Sequence, residues 1–583
     1  MRARSRRQFL SGASAVAAAA ALALTDGRYA SAADRDRALA ATAARAVRVE
    51  GTTLEQVATP AGGGLYRRLA SGPGWPLAVR TELAGAAPGR DTRRTALASF
   101  VQFTDLHLAD AESPARFEYL ARFTDSAHRP HEALTVRGAS SLVERINALP
   151  GGPYTGSPFS LVMATGDNTD NHEQAELEWY LSVMSGGRIT PATGDLSRYE
   201  GVQNSGSAAY WQPESSFQDD YKAAGFPQIP GLLSAAGRPF TAPGLRTPWY
   251  TTAGNHDDSI EGTLPDLGLL SSLYTGDRKL EGVDDATAAK LADAIRHDPA
   301  TAVLLLTQLL TSGGPVRHVT PDPRRAPFTP QQFAQAHLDP AYTGPGPIGH
   351  GFTPAAAAGG TLHYTFPVAP GVLGISLDTT NRAGGADGSL GTAQLRWLES
   401  VLQSYSTRWY DADGHLVRRG STDQLVVVFS HHSSTTMDNL LPDPYHLFEA
   451  RHDGAELVAL LQRYPNVLAW INGHTHANRI TPHGHPTPER AFWEINTASH
   501  IDFPQHARVI ELTDNHDGTL SLFTTLVESA APYTTDFTDP SSDANLAALY
   551  RELSLNDPYA TPAQKSGGPA DHNTELLLTR PTA

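Results

Sequence analysis

Two histidines stand two positions apart in Ile471-Asn472-Gly473-His474-Thr475-His476-Ala477, directly after the apolar run Val467-Leu468-Ala469-Trp470. In extended backbone, side chains at i and i+2 point to the same side with Cα atoms roughly 6.5–7 Å apart, so His474 and His476 can face one centre. Gly473 lets the chain come close to that centre. Imidazole is a favoured ligand for zinc, iron and related metals, and the pair reads as half of a metal site.

The same arrangement, a short β-branched or aromatic run ending abruptly in His, Asp, Asn and Gly, recurs five times upstream. Residues 97–103 end in Thr104-Asp105-Leu106-His107, and 159–164 in Thr165-Gly166-Asp167-Asn168-Thr169-Asp170. Residues 247–252 end in Ala253-Gly254-Asn255-His256-Asp257, and 372–377 in Asp378-Thr379-Thr380-Asn381. Residues 424–429 end in Ser430-His431-His432. Each cluster alone has a plainer reading. Asp105 and Asp257 suit helix N-caps, Gly166-Asp167-Asn168 suits a turn, and either histidine of His431-His432 suits a buried polar pair. Six buried runs that all finish in metal-ligand residue types are hard to explain by packing or solubility.

Asp105-x-His107, Gly166-Asp167-x-x-Asp170, Gly254-Asn255-His256-Asp257, His431 and Gly473-His474-x-His476 resemble the five ordered motifs of the calcineurin-like metallophosphoesterase superfamily, across residues 96–500. The N-terminal Arg6-Arg7 segment with its alanine-rich run, and the long spacing between some of the motifs, look similar to those of exported actinobacterial members. The resemblance implies that Asp167 bridges two metal ions. Asp105, His107 and His476 would complete one site, and Asn255, His431 and His474 the other. Seven N/O donors can hold two such ions about 3.5–4 Å apart when one carboxylate bridges them. Iron, manganese and zinc all suit these donors. A hydroxide between the ions, available at neutral pH because coordination lowers the pKa of water to about 7, is then expected to attack phosphorus in line. The resemblance gives His256 no metal. It can protonate or stabilise the leaving group, with Asp257 orienting its ring. Purple acid phosphatases carry a tyrosinate where this chain has Asp170, which argues against an iron–tyrosinate site. His500 and Asp502, just past the run 491–496, can touch substrate or support the ligands.

The elements that must position these residues follow from the runs. Strands lying side by side in layered α/β sheets bring their carboxyl ends to one crevice. The resemblance makes the fold an α/β class, a metallophosphoesterase-type β-sandwich flanked by helices (α/β/β/α). Apolar spacing predicts helices over 392–402 and, with Asp453 as N-cap, over 453–461. From Asp167 to Asn255 is 88 positions and from Asn255 to His431 is 176, against 43 from His431 to His474. A strand, helix and return need only about thirty residues, so 172–246 and 258–360 hold insertions within a domain spanning 96–530. The first insertion reads as loop-like. The second holds a helical pair, 286–296 and 300–310, separated at Pro299. Insertions leaving from ligand-bearing strand ends sit over the crevice and are the expected substrate selectors. Residues 508–512 and 520–527 flank an Asp-Gly turn and form a hairpin. Residues 33–95 are expected as an N-terminal extension with a helix over 35–48, and 531–583 as a loosely attached tail with a helix over 545–553.

The remaining sequence sets limits. Of 583 residues 40% are apolar, enough for a large core, and 45 Lys+Arg against 61 Asp+Glu give a net charge of −16 that disfavours nucleic-acid binding through a basic surface. No cysteine is present, which excludes disulfides, thiolate metal sites and a cysteine nucleophile. Ser5-Arg6-Arg7-Gln8-Phe9-Leu10, the alanine-rich run 13–24 and Ala30-Ser31-Ala32 resemble a twin-arginine export signal over 1–32. That implies passage through the twin-arginine machinery to the periplasm, cell envelope or exterior. No later run is long enough for a membrane span. Two functions are therefore expected. The first is a metal-dependent hydrolase of small-molecule or polymeric phosphomonoesters or phosphodiesters. The alternative is a non-catalytic exported protein that keeps the fold and binds phosphate ligands.

Overall fold

The computed structural model describes residues 47–124, 126–266, 268, 270–311, 315–419 and 423–581. The proposed export signal and most of the 35–48 segment lie outside the described residues. Among the described residues no helix is long and apolar enough to cross a membrane.

Two sheets carry the fold. The first has seven strands in the order Ala78–Arg80, Thr574–Thr579, Thr519–Glu528, His506–Asp514, Thr95–Phe103, Val162–Thr165, Trp249–Thr252. Its last three strands are mutually parallel. The second has six, in the order Tyr364–Ala369, Val372–Ser376, Leu425–Phe429, Val467–Asn472, Phe492–Asn496, Arg479–His483, with the middle four parallel. Each run read as a strand from its apolar pattern is one.

The sheets face each other. Phe100 meets Phe429 edge-on with ring centroids 5.8 Å apart, and Tyr250 stacks on Phe366 at 4.3 Å. Leu425–Phe429 shows why its apolar run is unbroken: Val427 and Phe429 point into the core between the sheets, while Val426 and Val428 point to the outer core under helices Thr392–Ser404 and Gly454–Leu461. Truncating Phe429 to alanine removes contacts on the buried side and should cost about 3–5 kcal/mol. Asp453 caps the second of these helices, its side chain accepting from the Glu456 N–H at 2.9 Å. Helices Thr135–Ala148 and Gln174–Ser185 pack their apolar faces on the core of the seven-stranded sheet, completing an α/β/β/α arrangement.

Three expectations need correction. Residues 531–583 are not loosely attached. Helix Asp543–Leu555 is buried against Thr135–Ala148, with the Tyr550 ring where a Gly138 Cβ would be, and Thr574–Thr579 is an inner strand of the seven-stranded sheet. Its Leu576-Leu577-Leu578 run is buried on both faces. The segment 172–246 is not wholly loop. It opens with helix Gln174–Ser185, whose capping box uses Glu173 and Glu176, and glutamate is not a usual N-cap signal. The 378–381 cluster does not reach the metal crevice, because Asp378 pairs instead with Arg382 at 3.2 Å and caps the Thr380 N–H at 3.1 Å.

Candidate metal centre

Each expected ligand leaves the carboxyl end of a parallel strand in one of the two sheets, at the seam between them. Asp105 and His107 follow Thr95–Phe103, Asp167 follows Val162–Thr165, and Asn255 follows Trp249–Thr252. His431 follows Leu425–Phe429, and His474 and His476 follow Val467–Asn472. The turns are tight enough to force left-handed backbone. Of the ten described non-glycine residues at positive φ, five are Asp105 (53°), His107 (44°), Asp167 (50°), His474 (69°) and His476 (55°). Such conformations cost on the order of 1–3 kcal/mol each and persist where a site demands them. The glycines before the ligands are steric necessities. A Cβ on Gly254 would lie 2.2 Å from Asp167 Oδ1, and one on Gly473 1.9 Å from Thr104 Oγ1.

One half of the cluster consists of Asp105, His107, Asp167 and His476, whose donor atoms lie within 4.8 Å of one another. His107 Nδ1–H donates to Asp170 Oδ1 at 2.8 Å and His476 Nδ1–H to Asp502 Oδ2 at 2.6 Å, so in the neutral rings both Nε2 atoms are bare acceptors. These two acceptors face each other at 3.2 Å. His476 Nε2 is 3.3 Å from Asp105 Oδ1 and His107 Nε2 is 3.5 Å from Asp167 Oδ2. Asp105 Oδ1 is buried without a hydrogen-bond partner.

The other half gathers Asp167, Asn255, His431 and His474. His431 Nδ1–H donates to the Thr165 carbonyl at 2.9 Å, leaving Nε2 toward Asp167 Oδ2 at 3.2 Å, Asn255 Oδ1 at 3.0 Å and His474 Nδ1 at 3.2 Å. The Asn255 amide is oriented by Nδ2–H donating to the Gly262 carbonyl at 3.0 Å, so its oxygen faces the cluster. Burial opposes a proton on His431, but Asp167 and Asp105 outweigh it and raise the ring to about 9. Converging lone pairs, an orphaned carboxylate oxygen and a ring that recruits positive charge all fit cations. The donors are nitrogen and oxygen throughout, as zinc, manganese and iron accept. His432 is otherwise engaged: Nε2–H donates to the Ala386 carbonyl at 2.9 Å and Nδ1 accepts from Thr379 at 2.8 Å. Of the pair, only His431 has a nitrogen free for a ligand.

The carboxylates behind the histidines were only partly legible. Asp170 bonds His107 and is gripped by Arg116, which also holds Glu132 at 2.9 Å. Burial would raise the Asp170 carboxyl, but Arg116 and His107 hold it well below the usual carboxylate range. Asp502 is held by Arg129 at 2.8 Å and Lys565 at 2.6 Å, which with His476 overcome burial and keep it ionised. Arg116, Arg129 and Lys565 are isolated basic residues with no pattern to single them out in sequence. The His500 ring does not reach the cluster, although its backbone N–H donates to the Asp105 carbonyl at 3.1 Å. It is buried beside Tyr550.

His256 adjoins the cluster, its ring 4.4 Å from that of His107 and its backbone N–H donating to Asp167 Oδ1 at 2.9 Å. Its Nδ1–H donates to the Asp170 carbonyl at 2.5 Å. Asp257 therefore does not orient the ring as expected. Its carboxylate accepts from the N–H groups of Gly254 (2.9 Å), Asn168 (3.1 Å) and Thr169 (2.9 Å), tying the two ligand loops together. Away from the centre, Asp411 and Asp413 lie in a turn, with Asp411 accepting the His415 N–H at 2.8 Å.

No protein-family profile matches the chain, and no curated protein matches it in sequence. Among solved structures it is similar to a dimetal phosphatase from Danio rerio, at 12% identity and a TM-score of 0.31 over 74% of this chain and 99% of that one. It is also similar to a purple acid phosphatase from yellow lupin (Lupinus luteus) seeds, at 11% identity and a TM-score of 0.25 over 79% of this chain and 53% of that one. At such values neither likeness decides anything about this chain, whose own donor atoms must carry the chemistry.

Proposed function

We propose that this protein is a metal-dependent phosphoric ester hydrolase, with Asp105, His107, Asp167 and His476 holding one ion and Asp167, Asn255, His431 and His474 a second. The observation that carries the reading is the convergence of ring nitrogens from His107, His431, His474 and His476 on the buried carboxylates of Asp105 and Asp167, with two N···N approaches of 3.2 Å between rings. Two bound cations would supply Lewis-acid charge to the phosphoryl oxygens and lower the pKa of a water to about 7. Asp170 and Asp502 fix the tautomers of His107 and His476 and hold those rings in register. His256, anchored through Nδ1, keeps Nε2 for the proton given to the leaving oxygen. Burial pushes that ring down to about 4, so near neutral pH it rests neutral and must first take up the proton that it gives; its place beside the centre supports the role. The twin-arginine-like segment supports export of the folded protein, and its substrates then lie in the envelope or outside the cell.

The test is turnover of bis(4-nitrophenyl) phosphate and 4-nitrophenyl phosphate by the full chain with added Mn²⁺. Wild type should hydrolyse at least one ester, His256→Ala should lose on the order of 10²–10⁴-fold, and Asp167→Ala should be inactive. Full activity in Asp167→Ala would refute the assigned centre. Metal uptake by wild type without turnover of any ester would favour the non-catalytic binding reading.

A further inference from the structure

A cavity of about 510 Å³, within the range of small-molecule sites, opens beside the proposed metal centre. Three links join its wall to the centre. Asp387, in the wall, lies 3.8 Å from His474 Nε2. The carbonyl of Ala386, also in the wall, accepts from His432. Glu261 and Thr263 of the wall flank Gly262, whose carbonyl fixes the Asn255 amide. The lining also has an apolar part, Phe117 and Leu120 together with Ala292 and Ile295 from helix Asp285–His297 of the long insertion, beside polar residues such as Ser126 and Asp438. Among the described lining residues Arg296 is the single Lys or Arg, and its guanidinium already donates to the Phe123 carbonyl. Such a wall offers no clamp for a second phosphate, and no pair of aromatic rings to sandwich a base.

The chain that supplies one edge of the cavity goes on to expose further apolar side chains. Leu441 lines the cavity and is itself half exposed, and Leu440, Tyr445, Leu447 and Phe448 beside it in sequence are largely exposed. The stretch at Leu441 is tied in place. Asn381 Nδ2 donates to the carbonyls of Asn439 and Leu441 at 3.0 and 2.9 Å, and Asn439 Nδ2 donates to the Gly384 carbonyl at 2.8 Å. An exposed leucine at the edge of a cavity, followed in the chain by further exposed apolar side chains, suits a ligand of like character.

We propose that the cavity takes the hydrocarbon part of an amphiphilic phosphate ester whose phosphate sits at the metal centre, an inference that rests on the phosphoesterase reading above. The long insertion then selects substrate by apolar burial, with its helix Asp285–His297 as one wall. Charge pairing plays little part.

The experiment compares methyl, butyl and octyl 4-nitrophenyl phosphate, each dispersed below its micellar concentration, with the full chain loaded with Mn²⁺. Water adds to phosphorus as the bond to 4-nitrophenolate breaks, giving the alkyl phosphate, 4-nitrophenolate and protons to solvent. Each methylene that enters the cavity should raise kcat/KM by up to roughly fourfold, so butyl should exceed methyl by about tenfold or more. In Ala292→Phe, which fills the cavity, and in Leu441→Asp, which charges the tolerant exposed rim, the octyl-to-methyl ratio should collapse. Hydrolysis of all three esters at rates within about threefold would overturn the inference and leave the phosphoesterase reading standing. So would a ratio unchanged in both variants. Failure to turn over these esters and bis(4-nitrophenyl) phosphate alike would remove both.

Discussion

The two halves of the candidate centre are built from the same residue types but supported differently. His107 and His476 each donate Nδ1–H to a carboxylate, at 2.8 and 2.6 Å, and those carboxylates are locked by Arg116 or by Arg129 and Lys565. Behind its inward nitrogen His431 has a backbone carbonyl as its partner, and His474 has Asp387 at 3.8 Å, a side chain half exposed to solvent. A carboxylate behind an imidazole makes it a stronger ligand and fixes its tautomer, whereas a peptide carbonyl fixes the tautomer alone. The first half should therefore hold its ion tightly, and the second, which borders the cavity, should exchange its ion more freely. The shared Asp167 is where the asymmetry can be broken most completely. Asp167→Ala should abolish both sites, dropping bound metal from about two equivalents to below one by elemental analysis and activity by at least about 10³-fold. Retention of one full equivalent would mean that Asp167 serves one half only.

A proton sharpens the contrast next. In the metal-free protein His431 titrates at about 9, so at pH 7 an incoming ion must displace a proton in the second half. Well below that value the apparent affinity of this half should rise by about tenfold per pH unit, for a total of about fiftyfold between pH 7 and 9. The sign for stability is opposite. The ring's folded value lies above its unfolded value of about 6.5, so its contribution is fully present below pH 6.5 and is lost as pH rises through 9. Chelated protein should then lose melting temperature across that window, and loaded protein should not. Equal slopes for the two, measured by scanning calorimetry, would show that His431 carries no proton in the metal-free state.

How far the sequence reaches can be judged on these same residues. The ligands were legible because each sits at the end of an apolar run, where a buried strand meets a polar turn, and because glycine precedes the ligand in three loops for steric reasons that hold in space. The supports were less so. Asp170 lies within a ligand motif and Asp502 just past a strand, so both could be suspected, but the partners that ionise them, Arg116, Arg129 and Lys565, come from irregular segments and a short helix 54, 373 and 63 positions away. Nothing local marks a residue whose job is defined by a distant contact. The same applies to the last strand, Thr574–Thr579: a short leucine run near a chain end is indistinguishable from a tail until its neighbours at Thr519–Glu528 and Ala78–Arg80 are known. The role expected of Asp257 failed for the converse reason. Adjacency to His256 suggested a contact, but a 3-10 turn at Asn255–Asp257 points consecutive side chains apart.

The carboxylate behind His476 gives the next effect in size. Asp502→Asn keeps the shape and one acceptor oxygen but removes the charge that Arg129 and Lys565 balance, and should weaken metal retention in the first half by about 10–100-fold. Dialysis against graded chelator, followed by metal counting, reads this directly. Wild type should lose its first equivalent well before its second, whereas Asp502→Asn should lose both over nearly the same range. Simultaneous loss in the wild type would show that the two halves are equal in strength despite their different supports.

Asp387→Asn is the matching change on the other side, and it should do little. Its carboxylate is 3.8 Å from His474 Nε2 with half of the side chain in solvent, where ion pairs contribute about 0.2–1 kcal/mol and are screened by salt. His474 faces the cluster through Nδ1, so its Nε2 is the outer nitrogen, and water can replace Asp387 as its partner. The expected change in affinity of the second half is below about fivefold, and smaller still at high ionic strength. If Asp387→Asn instead cost as much as Asp502→Asn in the same dialysis series, Asp387 would be a support equal to the buried carboxylates, and the second half would owe its openness to the cavity alone.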